Sequence, residues 1–164
     1  QLHNNMIKVG SELMIDTLNN IFLNTFNTII QPVDKKLNKA PKINSQTTRI
    51  NWSNSLQEIN NLVRGLSPYI SNNNFLKDKA KCPGAWFFLE LDGERRRIKI
   101  IKSKIEISNK NSNFHIDTDN KTYLKIHRKL QSISLEFLQM EGKRIMHISE
   151  FLLGNPIYSK CRFI

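Results

Sequence analysis

A chain of 164 residues with 39% hydrophobic and 24% charged side chains has room for a packed core without staples and the composition of an ordinary soluble domain. No apolar run approaches the ~20 residues that span a bilayer, and the N-terminus lacks the basic-then-apolar layout of a signal peptide, so a cytoplasmic protein without a membrane partner is expected. Lys and Arg number 25 against 14 Asp and Glu, a net charge of +11. That surplus favours a polyanionic partner, because phosphate contacts release condensed counterions; a generally basic proteome is the competing explanation.

The chain opens on Gln1 rather than Met, which points to a fragment or a processed product. Residues 9–28 are expected to be helical. Leu13, Met14, Leu18, Ile21 and Phe22 recur at three- and four-residue steps, and Ser11 is placed to cap the start. From residue 30 to 50 the periodicity stops, Pro32 and Pro41 interrupt any helix, and Lys35, Lys36, Lys39, Lys42 and Arg49 make the stretch basic. A loop of about 20 residues is uncommon inside a compact domain and argues for a linker. A second helix is expected near 54–66, with Ser55 and Glu58 spaced as a capping box, Leu56, Ile59, Val63 and Leu66 facing in, and Gly65 and Pro68 ending it. Residues 70–82 are rich in Asn and Lys and read as an exposed loop.

After Pro83 the pattern turns to β. Residues 85–91 form an apolar strand, Asp92-Gly93 is a hairpin signal, and residues 95–101 return. Further short strands are expected at 103–108, 113–118, 122–127 and 132–138, then a closing helix at 147–153 with Met146, Phe151 and Leu152 inward. Helices followed by five or six short antiparallel strands suggest a small barrel, a mainly β fold.

No Gly-rich phosphate loop and no His/Cys/Asp/Glu cluster with metal spacing is present. Cys82 and Cys161 read as free thiols. His3, His115, His127 and His147 read as surface or satisfied histidines. The basic residues are more informative. Arg95, Arg97 and Lys99 share one strand face, about 7 Å apart, a spacing that can track a phosphate backbone. The competing reading is the solvated outer face of a sheet. Trp86, Phe87 and Phe88 are expected mainly in the core, so backbone and shape recognition is expected more than base stacking.

Ordered motifs narrow this further. Ala40-Pro41-Lys42-Ile43 precedes Arg49-Ile50-Asn51-Trp52-Ser53, then Ile59-Asn60-Asn61-Leu62-Val63-Arg64-Gly65-Leu66-Ser67-Pro68-Tyr69, Pro83-Gly84-Ala85-Trp86, Glu141-Gly142-Lys143-Arg144-Ile145-Met146 and Glu150-Phe151-Leu152-Leu153-Gly154. The series resembles the C-terminal half of methionyl-tRNA formyltransferases. The sequence departs from that pattern at Asn51, where Asp is usual, at Lys39, where Tyr is frequent, and by the insertion of residues 70–82.

The resemblance implies an OB-like antiparallel β-barrel preceded by helices. Residues 1–31 would be the last helix region of a Rossmann-like catalytic domain, 32–50 a basic linker, and 51–164 the tRNA-binding domain. It implies 10-formyltetrahydrofolate as formyl donor in the intact enzyme, with none bound by this part, initiator methionyl-tRNA as partner, no metal, and a monomer. No catalytic residue carries over. Lys42, in the Ala-Pro-Lys-Ile motif, carries over as a tRNA contact; Lys35, Lys36, Lys39, Arg49, Arg95, Arg97 and Lys99 join it from charge and position. Two other readings remain open: a stand-alone OB-type RNA-binding module, and the C-terminal domain of a sugar-nucleotide formyltransferase.

Overall fold

A computed structural model of the chain describes residues 2–31, 39–67, 69–71, 74–75, 83–91, 93–158 and 161–164. Two compact units are present, Gln1–Ala40 and Pro41–Ile164.

The first unit holds α1, Leu2–Phe22. The helix begins earlier and ends earlier than its periodicity predicts. Ser11 lies inside it and does not cap it; its hydroxyl donates to the Lys8 carbonyl at 2.9 Å. The stop is set at Asn24, whose φ of 55° is left-handed. Thr25 N–H donates to the Asn20 carbonyl and Asn24 N–H to the Ile21 carbonyl, the paired bonds of a Schellman end. Leu13, Met14, Leu18 and Ile21 are exposed.

The second unit begins with a turn at residues 45–48 and then α2, Leu56–Leu66. The predicted capping box is present. Glu58 N–H donates to Ser55 Oγ at 3.2 Å and Ser55 N–H to Glu58 Oε2 at 2.9 Å, which holds the Glu58 carboxyl below its ordinary range, the Ser55 hydroxyl being the main cause. Leu56, Ile59 and Val63 are buried. The helix runs through Gly65 and ends at Ser67, held extended as expected before a proline. A Ser55→Ala chain is expected to lose about 1 kcal/mol of stability, read as a lower urea midpoint; an unchanged midpoint would contradict the cap.

The segment read as a loop at 70–82 contains, in its described part, a short antiparallel pair, β1 (Tyr69–Ser71) with β2 (Asn74–Phe75). The main sheet then follows: β3 (Ala85–Leu91), β4 (Glu94–Thr118), β5 (Leu124–Met140), β6 (Ile145–His147), helix α3 (Ile148–Gly154) and β7 (Arg162–Phe163). Its order is β6-β5-β4-β3-β7, every pairing antiparallel. The result is a mainly β, OB-like curled half-barrel with α2 and α3 packed against it. Leu91 pairs with Glu94 across the predicted hairpin turn, and Gly93 takes a φ of +83° that a side chain would resist.

Where five or six short strands were expected, two long ones, β4 and β5, carry most of the sheet. The polar stretches that look like turns are β-bulges. The register slips between Ile100 and Lys102, between Lys102 and Ser103, and between Ile107 and Ser112, while Lys129 opposite takes a φ of 55°. Each slip bends the strand without ending it, and the first turns the adjacent Ile100 and Ile101 both into buried positions. The core lies on the concave face: Phe87, Leu89, Ile98, Ile100, Ile126, Ile133, Leu135 and Leu138 from the sheet, closed by Ile59 and Val63 of α2 and Phe151 and Leu152 of α3.

The β4–β5 turn is tied by Asp119. The Asp119 carboxylate accepts from the Thr122 hydroxyl at 2.5 Å and from the N–H groups of Thr122, Lys121 and Tyr123. The Thr122 bonds above all hold its carboxyl far below the ordinary range. Glu106 is lowered too, chiefly by the Lys125 ammonium bonded to it at 2.7 Å. A carboxyl depressed on folding contributes stability that is present above its unfolded pKa, near 4, and is lost as pH falls through the folded value. Stability is therefore expected to drop below about pH 4. Urea midpoints taken from pH 6 down to pH 2 should show a shallower fall for Asp119→Asn than for the parent chain; identical curves would remove Asp119 from the account.

Candidate nucleic-acid interface

Strand alternation sorts β3 into two faces. Ala85, Phe87, Leu89 and Leu91 point into the core; Trp86 and Phe88 stand on the other face beside Arg97 and Lys99, their cross-strand partners. Of the three aromatics expected mainly in the core, Phe87 alone joins it.

Trp86 is nevertheless buried, because residues 45–50 lie along it. Its indole Nε1–H donates to the Ser45 carbonyl at 2.8 Å and lies 3.2 Å from Thr48 Oγ1. Its backbone N–H donates to the Thr48 carbonyl at 3.1 Å, and its carbonyl accepts from Ile50 N–H at 2.7 Å. The stretch thereby becomes a parallel bridge on the edge of β3, with Arg49 at its centre. Ile50 drops into the core and Trp52 packs edge-on against Phe87 and Phe163. Arg128 holds the same segment from β5, donating to the Trp52 and Asn54 carbonyls.

Two guanidinium groups come to the outer aromatic pair. Arg97 Cζ lies 4.1 Å from the Trp86 ring centroid, and Arg49 Cζ lies 5.7 Å from the centroids of both Trp86 and Phe88. Cation–π contact fixes the plane of each group while leaving its charge uncompensated. Gly84 packs beside Lys99 with a φ of +68°, a conformation a side chain would resist, and a Cβ there would lie 3.2 Å from Lys99 Cδ.

The predicted residues therefore divide. Arg49, Arg97 and Lys99 come together on this face, and among the described residues none of the three has an acidic partner. Arg95 is on the same face, but Glu90 stands opposite at 3.5 Å and takes up part of its charge. Lys42 and Lys39 are exposed, Lys42 in the second unit and Lys39 in the first. Lys35 and Lys36 lie outside the described residues. Arg96 turns the other way and donates to Glu94 and to the Asn155 side chain. Lys102 and Lys125 are matched by Glu136 and Glu106, each at 2.7 Å. The 45–48 turn was missed as a cover for Trp86, and Gly84, present in the ordered motif Pro83-Gly84-Ala85-Trp86, was not read as a neighbour of Lys99.

His147 caps α3 through Nδ1, and His115 is exposed. His127 is buried, with Nδ1 2.7 Å from Ser108 Oγ and Nε2 3.3 Å from Asp117 Oδ2. The trio has the composition of a nucleophilic relay, but Ser108 is only 7% exposed, enclosed at the β4 bulge. A substrate carbonyl has no approach to it, and the group serves as a polar tie across the bulge. Among the described residues no cluster of metal-binding side chains occurs, and no helix is long and apolar enough to cross a membrane.

Residues 42–156 match the family model described as formyl transferase, C-terminal domain. The chain is 35% identical over 154 residues to a methionyl-tRNA formyltransferase of Flavobacterium johnsoniae, covering 94% of this chain and 45% of that protein. It is 31% identical to one of Phocaeicola vulgatus (93% and 45%) and 30% identical to one of Azobacteroides pseudotrichonymphae (99% and 48%). The chain thus spans about half the length of the curated relatives it matches. The insertion at 70–82 and the departures at Lys39 and Asn51 leave the half-barrel and its ordered motifs in place, and the chain belongs to the formyl transferase C-terminal domain family.

Proposed function

We propose that this chain supplies tRNA binding to a methionyl-tRNA formyltransferase, an enzyme that moves a formyl group from 10-formyltetrahydrofolate to the amino group of methionyl initiator tRNA in the cytoplasm. In this reading residues 1–31 close the catalytic domain, 32–50 bridge it, and 51–164 face the tRNA. The observation that carries it is the meeting of Arg49, Arg97 and Lys99 around Trp86 and Phe88, cations without acidic partners among the described residues, on a chain whose relatives bear that name. Lys42 and Arg95, and Lys35, Lys36 and Lys39 of the basic upstream stretch, are further candidate tRNA contacts on charge and position.

Binding of initiator methionyl-tRNA to the chain, followed by fluorescence anisotropy across salt concentrations, tests this. The expected log–log slope is about −0.7 to −0.9 for each phosphate contacted. A nucleotide sugar should not compete, and the chain alone should transfer no formyl group. A slope near zero contradicts the electrostatic reading. Displacement by a nucleotide sugar would instead point to a sugar-nucleotide enzyme.

A further inference from the structure

Arg128 is a cation used on the fold itself. It lies on β5 beside the bulge opposite Ser112, where the next residue, Lys129, takes a φ of 55°. Side chains rarely adopt that conformation, and bulges re-aim the residues around them. The half-buried Arg128 side chain crosses from β5 to the 51–54 turn, where a single guanidinium nitrogen, Nη1, donates to two carbonyls, that of Trp52 at 2.8 Å and that of Asn54. Hydrogen bonds from an ionised donor are the stronger kind. Asn51 closes the turn locally: its side-chain oxygen accepts from Ser53 N–H at 2.9 Å and its carbonyl from Asn54 N–H at 3.0 Å. Just before the turn, Ile50 is buried and its N–H donates to the Trp86 carbonyl. Arg49 is the residue before that, the centre of the bridge to β3, with its guanidinium near Trp86 and Phe88. Its place in the chain is thus fixed from two sides, by Trp86 acting on Ser45 and Thr48 and by Arg128 acting on Trp52 and Asn54.

We propose that Arg128 is a positioning residue for the tRNA face: without touching RNA, it holds the 51–54 turn so that Arg49 stays beside the Trp86–Phe88 pair. The inference rests on the tRNA-binding reading and adds to it a residue that sets the interface from outside it. The physical reason is order. A side chain already held in its bound position loses little freedom on binding, whereas one on a loosened segment must be immobilised at a cost in affinity.

The test is a double-mutant cycle of Arg128→Gln and Arg49→Gln on the whole chain, read by tRNA binding across salt concentrations and by amide hydrogen exchange. Arg128→Gln is expected to weaken binding of initiator methionyl-tRNA roughly three- to fivefold, no more than loss of the one phosphate contact of Arg49, and to add nothing once Arg49 is glutamine. It should also speed exchange of the Ile50 and Trp86 N–H groups while the amides bonded between β4 and β5 keep the parent's rates. Additive losses of affinity and of salt slope would mean that Arg128 meets a phosphate itself, and faster exchange throughout would mean that it only stabilises the fold; either result overturns the proposal. Unchanged exchange at Ile50 and Trp86 overturns it too, whether or not tRNA binds. If those two amides loosen as expected but the parent chain binds no tRNA, the placement of Arg49 by Arg128 stands and the tRNA reading falls. Should Arg128→Gln not fold, Arg128→Lys, which keeps the charge on a shorter side chain, enters the same cycle with a smaller loss of the same kind.

Discussion

A Trp86→Ala chain is expected to be less stable than the parent by about 3–5 kcal/mol and to bind tRNA more weakly wherever it remains folded. Trp86 is 7% exposed, so removal of its indole leaves a cavity under the 45–50 segment, and both guanidinium groups lose the ring that orients them. The Ser45 carbonyl also loses its donor. Trp86→Phe separates these contributions. It keeps an aromatic face for Arg97 and gives up the indole N–H, a loss of about 1 kcal/mol for the hydrogen bond and a smaller one for tRNA. Urea denaturation with tRNA titration at low denaturant reads both; an unaltered midpoint for Trp86→Ala would mean that the segment does not rest on the ring.

The second large effect is on affinity. Replacing Arg49, Arg97 and Lys99 together by glutamine is expected to lower the magnitude of the salt slope of tRNA binding by about 2 to 3. At 0.15 M salt that corresponds to a loss on the order of 100-fold. Stability should change less than with Trp86→Ala, because no acidic partner among the described residues is stranded. A triple variant that binds as tightly as the parent would remove this face from the interface.

How much of this is legible in the sequence depends on how local the cause is. Helix α2 reads directly, since Ser55, Glu58 and the Leu56–Ile59–Val63 stripe are contained within nine residues. The β3–β4 hairpin reads equally well from Asp92-Gly93. The end of α1 does not, because Asn24 adopts its left-handed conformation in an Asn-rich stretch where nothing marks it out. The lengths of β4 and β5 fail for a related reason: Ser103 and the polar run at 108–113 look like turn chemistry, yet cross-strand pairing carries the chain through them as bulges.

The face of Trp86 is not legible either. A run of Ala-Trp-Phe-Phe-Leu leaves both faces apolar, and periodicity cannot choose between them. The choice is made by residues 38 to 41 positions earlier, Thr48 and Ser45, which bond to the indole and its backbone. Charge picked out Arg49, Arg97 and Lys99 as cations, but their meeting on one aromatic platform belongs to tertiary structure, as does the matching of Arg95 by Glu90. The ordered motifs carried the family directly, and the fold explains several of them. Ile50 and Trp52 enter the core or pack on it, and Gly84 takes a positive φ beside the Lys99 stem.

The most direct measurement compares two chains that lose the same charge from different places. One carries Arg49→Gln, Arg97→Gln and Lys99→Gln; the other carries Lys102→Gln, Lys104→Gln and Lys125→Gln, removing three cations that sit beside acids. Salt-dependent binding of initiator methionyl-tRNA is recorded for both. The account predicts that the first set flattens the slope by about 2 to 3 and that the second leaves it close to the parent's. Equal losses in the two chains would mean that net charge alone draws the tRNA, and the aromatic-backed face would no longer be its docking surface.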